Sequence, residues 1–353
     1  MNDLSRQAWG SQWESRQGAI PLPSSGSPVP RPGLSPQISA HQYLELRPET
    51  EPLSKLNGNE PLRMTSRDLA VLTALHEYRY LDREQVERLF FQGRRRAQLR
   101  LQELRSRGLI IGWRCLLQPG LHPRPSVYVL AAAGARLLAH ATSADPRPLI
   151  ARARHARERA FHVLHDLEAN GFFIAVAAAS RDRAGEGLYH WVGEIACREG
   201  RAAEGAPASD GWGRYLLPDR EFVFDLEWDR GTEHERRLRQ KASSYVGYFG
   251  GRRGAHRHHV LFVVPGQARE GEVTDVIASV QTSSRECCSF WTTSIERLAA
   301  DGPLAPIWQP TANPGDRVAF ADMAALPARR RRVEDCIGKP GWWERRPGGG
   351  EGA

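Results

Sequence analysis

The chain lacks the features that mark secreted, membrane-embedded and nucleotide-binding proteins. Its five cysteines, Cys115, Cys197, Cys287, Cys288 and Cys336, form no CxxC pair and no even framework, so free thiols in a reducing compartment are the simplest account. No apolar run approaches the roughly 20 residues that a membrane span requires. The N-terminus, with Asp3 and scattered polar residues, has no signal-peptide hydrophobic core. Walker A sequences and Gly-rich dinucleotide turns are absent too. The expectation is a cytoplasmic protein with no membrane partner. Lysine is scarce and arginine abundant, giving a formal charge of +8 and a pI near 9.6. That balance favours a polyanion, and nucleic acid is the obvious one, although a GC-rich genome also enriches arginine.

At 353 residues the chain can hold two domains and linkers. Residues 1–62 are rich in Pro, Ser and Gly and read as disordered, because they cannot bury enough apolar surface to offset their ordering entropy. Order begins at Thr65-Ser66-Arg67-Asp68, a capping box followed by Leu69, Leu72 and Leu75 or His76 at helical spacing. A second helix starts at Asp82 with Gln85 three residues on. A third runs from Gly93 to Arg107 and stops at Gly108, with Ala97, Leu101 and Leu104 inward. Leu109 to Trp113 and Ser126 to Leu130 then read as a β-hairpin with a Pro/Gly-rich tip at Pro119–Pro125, and a small helix spans Ala131 to Ala139.

Three short helices, the third basic, then a hairpin: this is the order of a winged helix-turn-helix, expected over residues 63–142. In that fold the third helix enters the major groove of double-stranded DNA and the wing grips the backbone. The candidate DNA contacts are Arg94, Arg95, Arg96, Gln98, Arg100 and Arg105 on the third helix, and Arg124 in the wing tip. A charge run is more often a solvated face. Here it stands at the front of the helix, where base edges would be met.

Residues 143–310 read as a second, α/β domain. Leu149–Asn170 reads as a long helix ended by Asn170-Gly171, Phe172–Ala179 as a strand-like run, Trp191–Ile195 as a strand, and 200–213 as a Gly/Ala loop. A helix is expected over Thr232–Phe249, a buried strand over His259–Val264, a helix over Gln267–Gln281 and an edge strand over Cys287–Thr292. Residues 311–353 read as a basic, disordered tail.

The most informative stretch is Pro218 to Glu233. Phe222, Phe224, Leu226 and Trp228 alternate with Val223, Asp225, Glu227 and Asp229, the period-2 pattern of a strand with two unlike faces. Like charges along one face repel, so something positive balances them: a divalent cation, nearby arginines, or Lys241 on the helix that follows. Glu194, Pro218-Asp219 and Glu227-Trp228-Asp229 resemble the carboxylate pattern of the PD-(D/E)XK nuclease superfamily, with Asp229 where that pattern has lysine and Lys241 as the substitute. The resemblance implies Glu194, Asp219, Glu227 and Lys241 as catalytic residues if the domain is active, and Asp219, Glu227 and Asp229 as ligands to Mg²⁺. His162 and His165, at i, i+3, are a further metal candidate, more simply read as partly exposed imidazoles. His256 to His259 read as a loop.

The blocks Thr65–Asp68, Arg94–Ala97, Val127–Leu130 with Ala133–Leu138, Pro218-Asp219, and Glu227-Trp228-Asp229-Arg230-Gly231-Thr232-Glu233 with Lys241 and Tyr245 together resemble the replication-relaxation family. The family consists of bacterial proteins associated with plasmid replication and with relaxation of plasmid DNA for transfer. The resemblance implies an α+β protein with an N-terminal winged helix-turn-helix and an α/β sandwich similar to the PD-(D/E)XK core, acting as a DNA-binding accessory factor of a mobile element, with double-stranded DNA and replication or mobilisation proteins as partners. Homodimerisation is compatible with it. The competing functions are a Mg²⁺-dependent endonuclease and a winged-helix transcriptional regulator.

Overall fold

The computed structural model describes residues 45–48, 64–116, 126–158, 163–202, 205–250, 258–281, 288–312 and 315–325. The fold is α+β, in two compact units whose described elements come from Glu45–Ala160 and from Phe161 onward.

In the first unit Thr65 caps helix α1 (Ser66–Glu77): its N–H donates to Asp68 at 2.7 Å while Asp68 N–H donates back to the threonine hydroxyl at 3.3 Å. Asp82 and Gln85 repeat the device at α2 (Arg83–Phe90). Gly93, at φ 138°, then turns the chain into α3 (Arg94–Ser106), which buries Ala97, Leu101 and Leu104. Strands β3 (Ile110–Leu116) and β4 (Val127–Leu130) form the expected antiparallel hairpin, with Ile110 opposite Leu130. The hairpin tip, with Arg124, lies outside the described residues. Strand β2 (Leu81–Asp82) pairs with β4. Strand β1 (Glu45–Pro48), within the stretch read from composition as disordered, pairs with β3, and the rest of that stretch up to residue 63 lies outside the described residues.

The single helix expected over Leu149–Asn170 is two. Helix α4 (Ala132–Ala141) is followed by α5 (Pro146–Glu158), which stays with the first unit, where the Tyr80 hydroxyl donates to the Ala156 carbonyl. Helix α6 (Val163–Ser180) belongs to the second unit and runs straight through Asn170-Gly171 and the supposed strand Phe172–Ala179. An apolar run of eight residues suits a buried helix as well as a buried strand. Here Phe172, Phe173, Ile174 and Val176 are all buried, which outweighs the cost of about 1 kcal/mol for a mid-helix glycine.

The second unit is built on a six-stranded mixed sheet. Strands β5 (Gly187–Gly193), β6 (Gly211–Leu217) and β7 (Arg220–Trp228) form an antiparallel meander, with α7 (Glu194–Ala202) between the first two. Strands β7, β8 (His258–Val264) and β9 (Cys288–Ser294) are parallel, joined by α8 (Glu235–Gly250) and α9 (Gln267–Gln281). Strand β9 is not the edge, since β10 (Gln309–Pro310), after helix α10 (Ile295–Asp301), pairs alongside it. Pro218-Asp219 is the tight turn between β6 and β7, which accounts for its short separation from Glu227.

Both faces of β7 are covered. Phe222 and Phe224 pack in an aromatic cluster with Phe172 and Phe173 of α6 and with Phe320. The opposite face of the sheet packs Val260, Phe262 and Phe290 under Leu238, Ala242 and Tyr245 of α8 and Val273 and Ile277 of α9. Phe320 also corrects the reading of residues 311–353 as a tail. It is fully buried against Tyr215 and Trp308 in a short 3₁₀ turn, Phe320–Ala325. Residues beyond 325 lie outside the described set.

Strand β6 carries two glycines because aromatic rings lie on its backbone. A Cβ on Gly211 would fall 2.4 Å from the Phe173 ring, and one on Gly213 2.5 Å from the Phe224 ring. Gly211→Ala is expected to lower unfolding stability by about 1–3 kcal/mol through overpacking. Chemical denaturation checks this, and an unchanged midpoint would mean the Phe173 ring moves aside freely.

Candidate functional site

Two clusters of polar side chains stand out, one in each unit. In the first, α3 opens with Arg94, Arg95 and Arg96, all exposed, with no acidic residue in its first turn and no side-chain cap. Three cations at the positive end of a helix dipole are unfavourable without an anion nearby. None of the three forms an ion pair with another described residue. Arg94, Arg95, Gln98 and Leu99 line a shallow concavity on this helix. Leu99, at 57% relative exposure, is the large apolar side chain left open among the described residues.

The remaining sequence candidates on α3 have other partners. Arg100 grips the buried Asp68 through Nε at 2.6 Å and Nη2 at 2.5 Å, and also holds Glu103 at 2.6 Å. Burial alone would raise the Asp68 carboxyl. Arg100 and Thr65 together hold it below the usual carboxylate value. Arg100 therefore ties α3 to the cap of α1. Arg105 is half-buried, its stem packed over Gly112 beside Tyr128 of the hairpin.

The second cluster surrounds the end of β7. Asp225, Glu227 and Asp229 are 0%, 1% and 3% exposed, and each meets a cationic partner or an imidazole. Asp225 pairs with His258 at 2.5 Å and accepts from the Ser209 hydroxyl at 2.7 Å. Glu227 accepts from Lys241 at 2.8 Å and from the Tyr245 hydroxyl at 2.5 Å. Asp229 accepts from Arg269 at 2.8 Å and from the Gly231 N–H at 2.8 Å. Gly231 sits at φ 77° with Pro265 against it, so the Asp229-Arg230-Gly231 turn requires a glycine. The turn delivers Glu233, whose carboxylate takes Lys241 at 2.9 Å and whose carbonyl takes Arg269 at 2.5 Å. The Asp-Arg-Gly-Thr-Glu string is thus the elbow that leads β7 into α8.

A fourth carboxylate, the partly buried Asp210, accepts from the Trp228 N–H at 2.8 Å and meets His165 at 3.2 Å. Burial alone would depress His165, but Asp210 and Asp166 outweigh it and raise the imidazole to about 10. Asp210 is correspondingly lowered. Burial pushes Glu227 up to about 7, with Asp210 adding to the shift and Lys241 opposing it. Lys241, facing three carboxylates, is raised above the ordinary lysine value although burial opposes this.

Of the sequence-derived catalytic candidates, the structure brings Glu227 and Lys241 together. Asp219 stands 53% exposed in the β6–β7 turn beside Arg220. It lies eight residues from Glu227, or about 26 Å along an extended strand. Glu194 opens α7 and pairs with Arg198. Among the described residues no three His, Cys, Asp or Glu side chains converge as metal ligands. The oxygens of Asp225, Glu227 and Asp229 are occupied by protein donors, so this donor set does not fit Mg²⁺ as proposed from the sequence. Arg269 and Asp210 were not singled out by sequence reasoning, and His258 entered it only within the His256–His259 block. Asp210 hides in a Gly/Ala-rich loop, Arg269 is one arginine among many, and His258 looked like part of a loop. His165 is an ion-pair partner, and His162 lies outside the described residues.

The family model for replication-relaxation matches residues 72–264, and the chain belongs to that family. The match spans α3, β7 and α8, so it takes in the Arg94–Arg96 run and the carboxylates at the end of β7, while Asp68 and Arg269 fall outside it. No curated protein and no solved structure matches the chain. Membership points to a role in replication or relaxation, with DNA or replication-related partners. Among the described residues no helix is long and apolar enough to cross a membrane.

His165 makes stability depend on pH with a definite sign. The unfolded imidazole loses its proton near 6.5 and the folded one near 10, so between these values the folded state holds the extra proton. The stabilisation is complete below 6.5 and is lost as pH rises towards 10. Melting temperature is expected to fall across pH 7–10, and His165→Gln to flatten that fall. Parallel curves for the two proteins would contradict the His165–Asp210 pair.

Proposed function

We propose that this member of the replication-relaxation family is a cytoplasmic DNA-binding accessory protein of plasmid or mobile-element replication and mobilisation, whose first unit engages double-stranded DNA as a winged helix-turn-helix. The observation that carries the reading is the uncompensated Arg94-Arg95-Arg96 run at the start of α3, just after the Gly93 turn. In this reading α3 lies in the major groove, Arg94, Arg95, Arg96 and Gln98 meet phosphates and base edges, and the β3–β4 hairpin follows the backbone. Arg100 and Arg105 then serve as supports that fix the helix on α1 and on the hairpin.

The second unit is read as a nuclease-like α/β domain that supplies a contact or assembly surface for DNA, for replication or mobilisation proteins, or for a second copy. Its buried carboxylates are occupied by Lys241, Arg269, His165 and His258, which favours a structural role over a cleavage centre.

Replacing Arg94, Arg95 and Arg96 with alanine should weaken DNA binding and lower the slope of log K against log salt by up to about 2.7, roughly 0.9 per lost phosphate contact. Alanine keeps the helix. Unchanged binding in a gel-shift titration would remove α3 from the interface. Supercoiled plasmid incubated with the protein and Mg²⁺ or Mn²⁺ should be retarded but not nicked. Nicking abolished by Glu227→Gln would establish the metal-dependent endonuclease instead.

A further inference from the structure

A lone exposed leucine is ordinary on a protein surface. Leu99 differs in its company. Arg95, Gln98, Leu99 and Gln102 stand at i, i+3, i+4 and i+7, so they form one stripe of α3, away from the buried Ala97, Leu101 and Leu104. Within that stripe Leu99 shares a concavity with Arg94, Arg95 and Gln98. The surrounding arginines have no acidic partner among the described residues, which disfavours an apolar protein partner and fits a polyanion with an apolar feature of its own.

Duplex DNA has such a feature in its major groove. Arginine matches guanine O6 and N7, glutamine matches adenine N6 and N7, and an apolar side chain matches the 5-methyl group of thymine. The stripe carries all three types, with Arg95, Gln98 and Leu99 adjacent and Gln102 one turn on. We infer that Leu99 is a specificity-determining residue that reads a thymine methyl group, with Gln98 and Arg95 reading a neighbouring adenine and guanine. The inference rests on the reading of α3 as the DNA-contacting helix and adds to it which bases the helix distinguishes.

The test uses the full chain and duplexes enriched by it from a random-sequence pool. Each thymine of the enriched site is replaced in turn by deoxyuridine, which removes the methyl group and leaves base pairing intact. Wild-type affinity is expected to fall about fourfold at one or two positions, the value of one buried methyl group. Leu99→Ala should already bind more weakly by a similar factor and show no further loss at those positions. Arg95→Ala should keep the methyl preference while losing overall affinity. A site without thymine, a wild type indifferent to every replacement, or a Leu99→Ala protein that still prefers thymine would overturn the inference. In each of those cases, loss of binding on replacing Arg94, Arg95 and Arg96 leaves the DNA-binding reading standing. If wild type binds no duplex at all, both fail together.

Discussion

Four carboxylates crowd around one end of β7 in the second unit, Asp225, Glu227 and Asp229 buried and Asp210 partly so, and the placement of its helices follows from neutralising them. A buried carboxylate without a partner costs several kcal/mol. Each therefore recruits a partner from a different element: His165 from α6, Lys241 from α8, His258 from β8 and Arg269 from α9. Ion pairs of this kind add little net stability compared with a well-packed apolar core. Their geometry fixes the register in which helices dock on the sheet, because a shift of one residue would leave a buried charge unpaired. Lys241 is the only lysine among the described residues of an arginine-rich chain. Its compact ammonium fits between Glu227 and Glu233, at 2.8 and 2.9 Å, where a planar guanidinium would not be equivalent.

The first unit handles charge in the opposite way. Arg100 is turned inward to hold Asp68 and the α1 cap, which ties α3 to α1, while Arg94, Arg95 and Arg96 face solvent without acidic partners. One helix thus separates its arginines into anchors and free cations. The contrast between an outward-facing positive surface and an inward-facing acidic cluster supports binding in the first unit and a scaffold role in the second.

Much of this was legible in the sequence where a local rule determined the outcome. Thr65 with Asp68 and Asp82 with Gln85 are capping boxes because their side chains reach only their own helix starts. Helix α9 was read with its observed bounds, Gln267–Gln281. The alternation along β7 correctly separated its aromatic face from its acidic face. What stayed hidden depends on distant partners. That both faces of β7 are buried follows from α6, α8 and α9 packing on the sheet. Phe172–Ala179 is helical because the aromatic cluster needs α6 there, and the start of β6, Gly211–Gly213, reads as loop because its glycines, required by the Phe173 and Phe224 rings, resemble loop residues. Phe320 was lost among the prolines and glycines near the C-terminus. The partners of Asp210 and Asp229 lie 45 and 40 residues away, beyond any spacing rule.

The central claim, that the acidic strand is neutralised by the protein's own cations, is tested most directly by a double-mutant cycle on Glu227 and Lys241. The measurement is the unfolding free energy of wild type, Glu227→Gln, Lys241→Met and the double variant at pH 8, above the Glu227 value of about 7. Lys241→Met should cost about 3–5 kcal/mol, because it leaves a buried carboxylate uncompensated. The double variant should be more stable than the sum of the single losses by about 1–3 kcal/mol. Additive losses would show that the two side chains do not depend on each other, and would contradict the account.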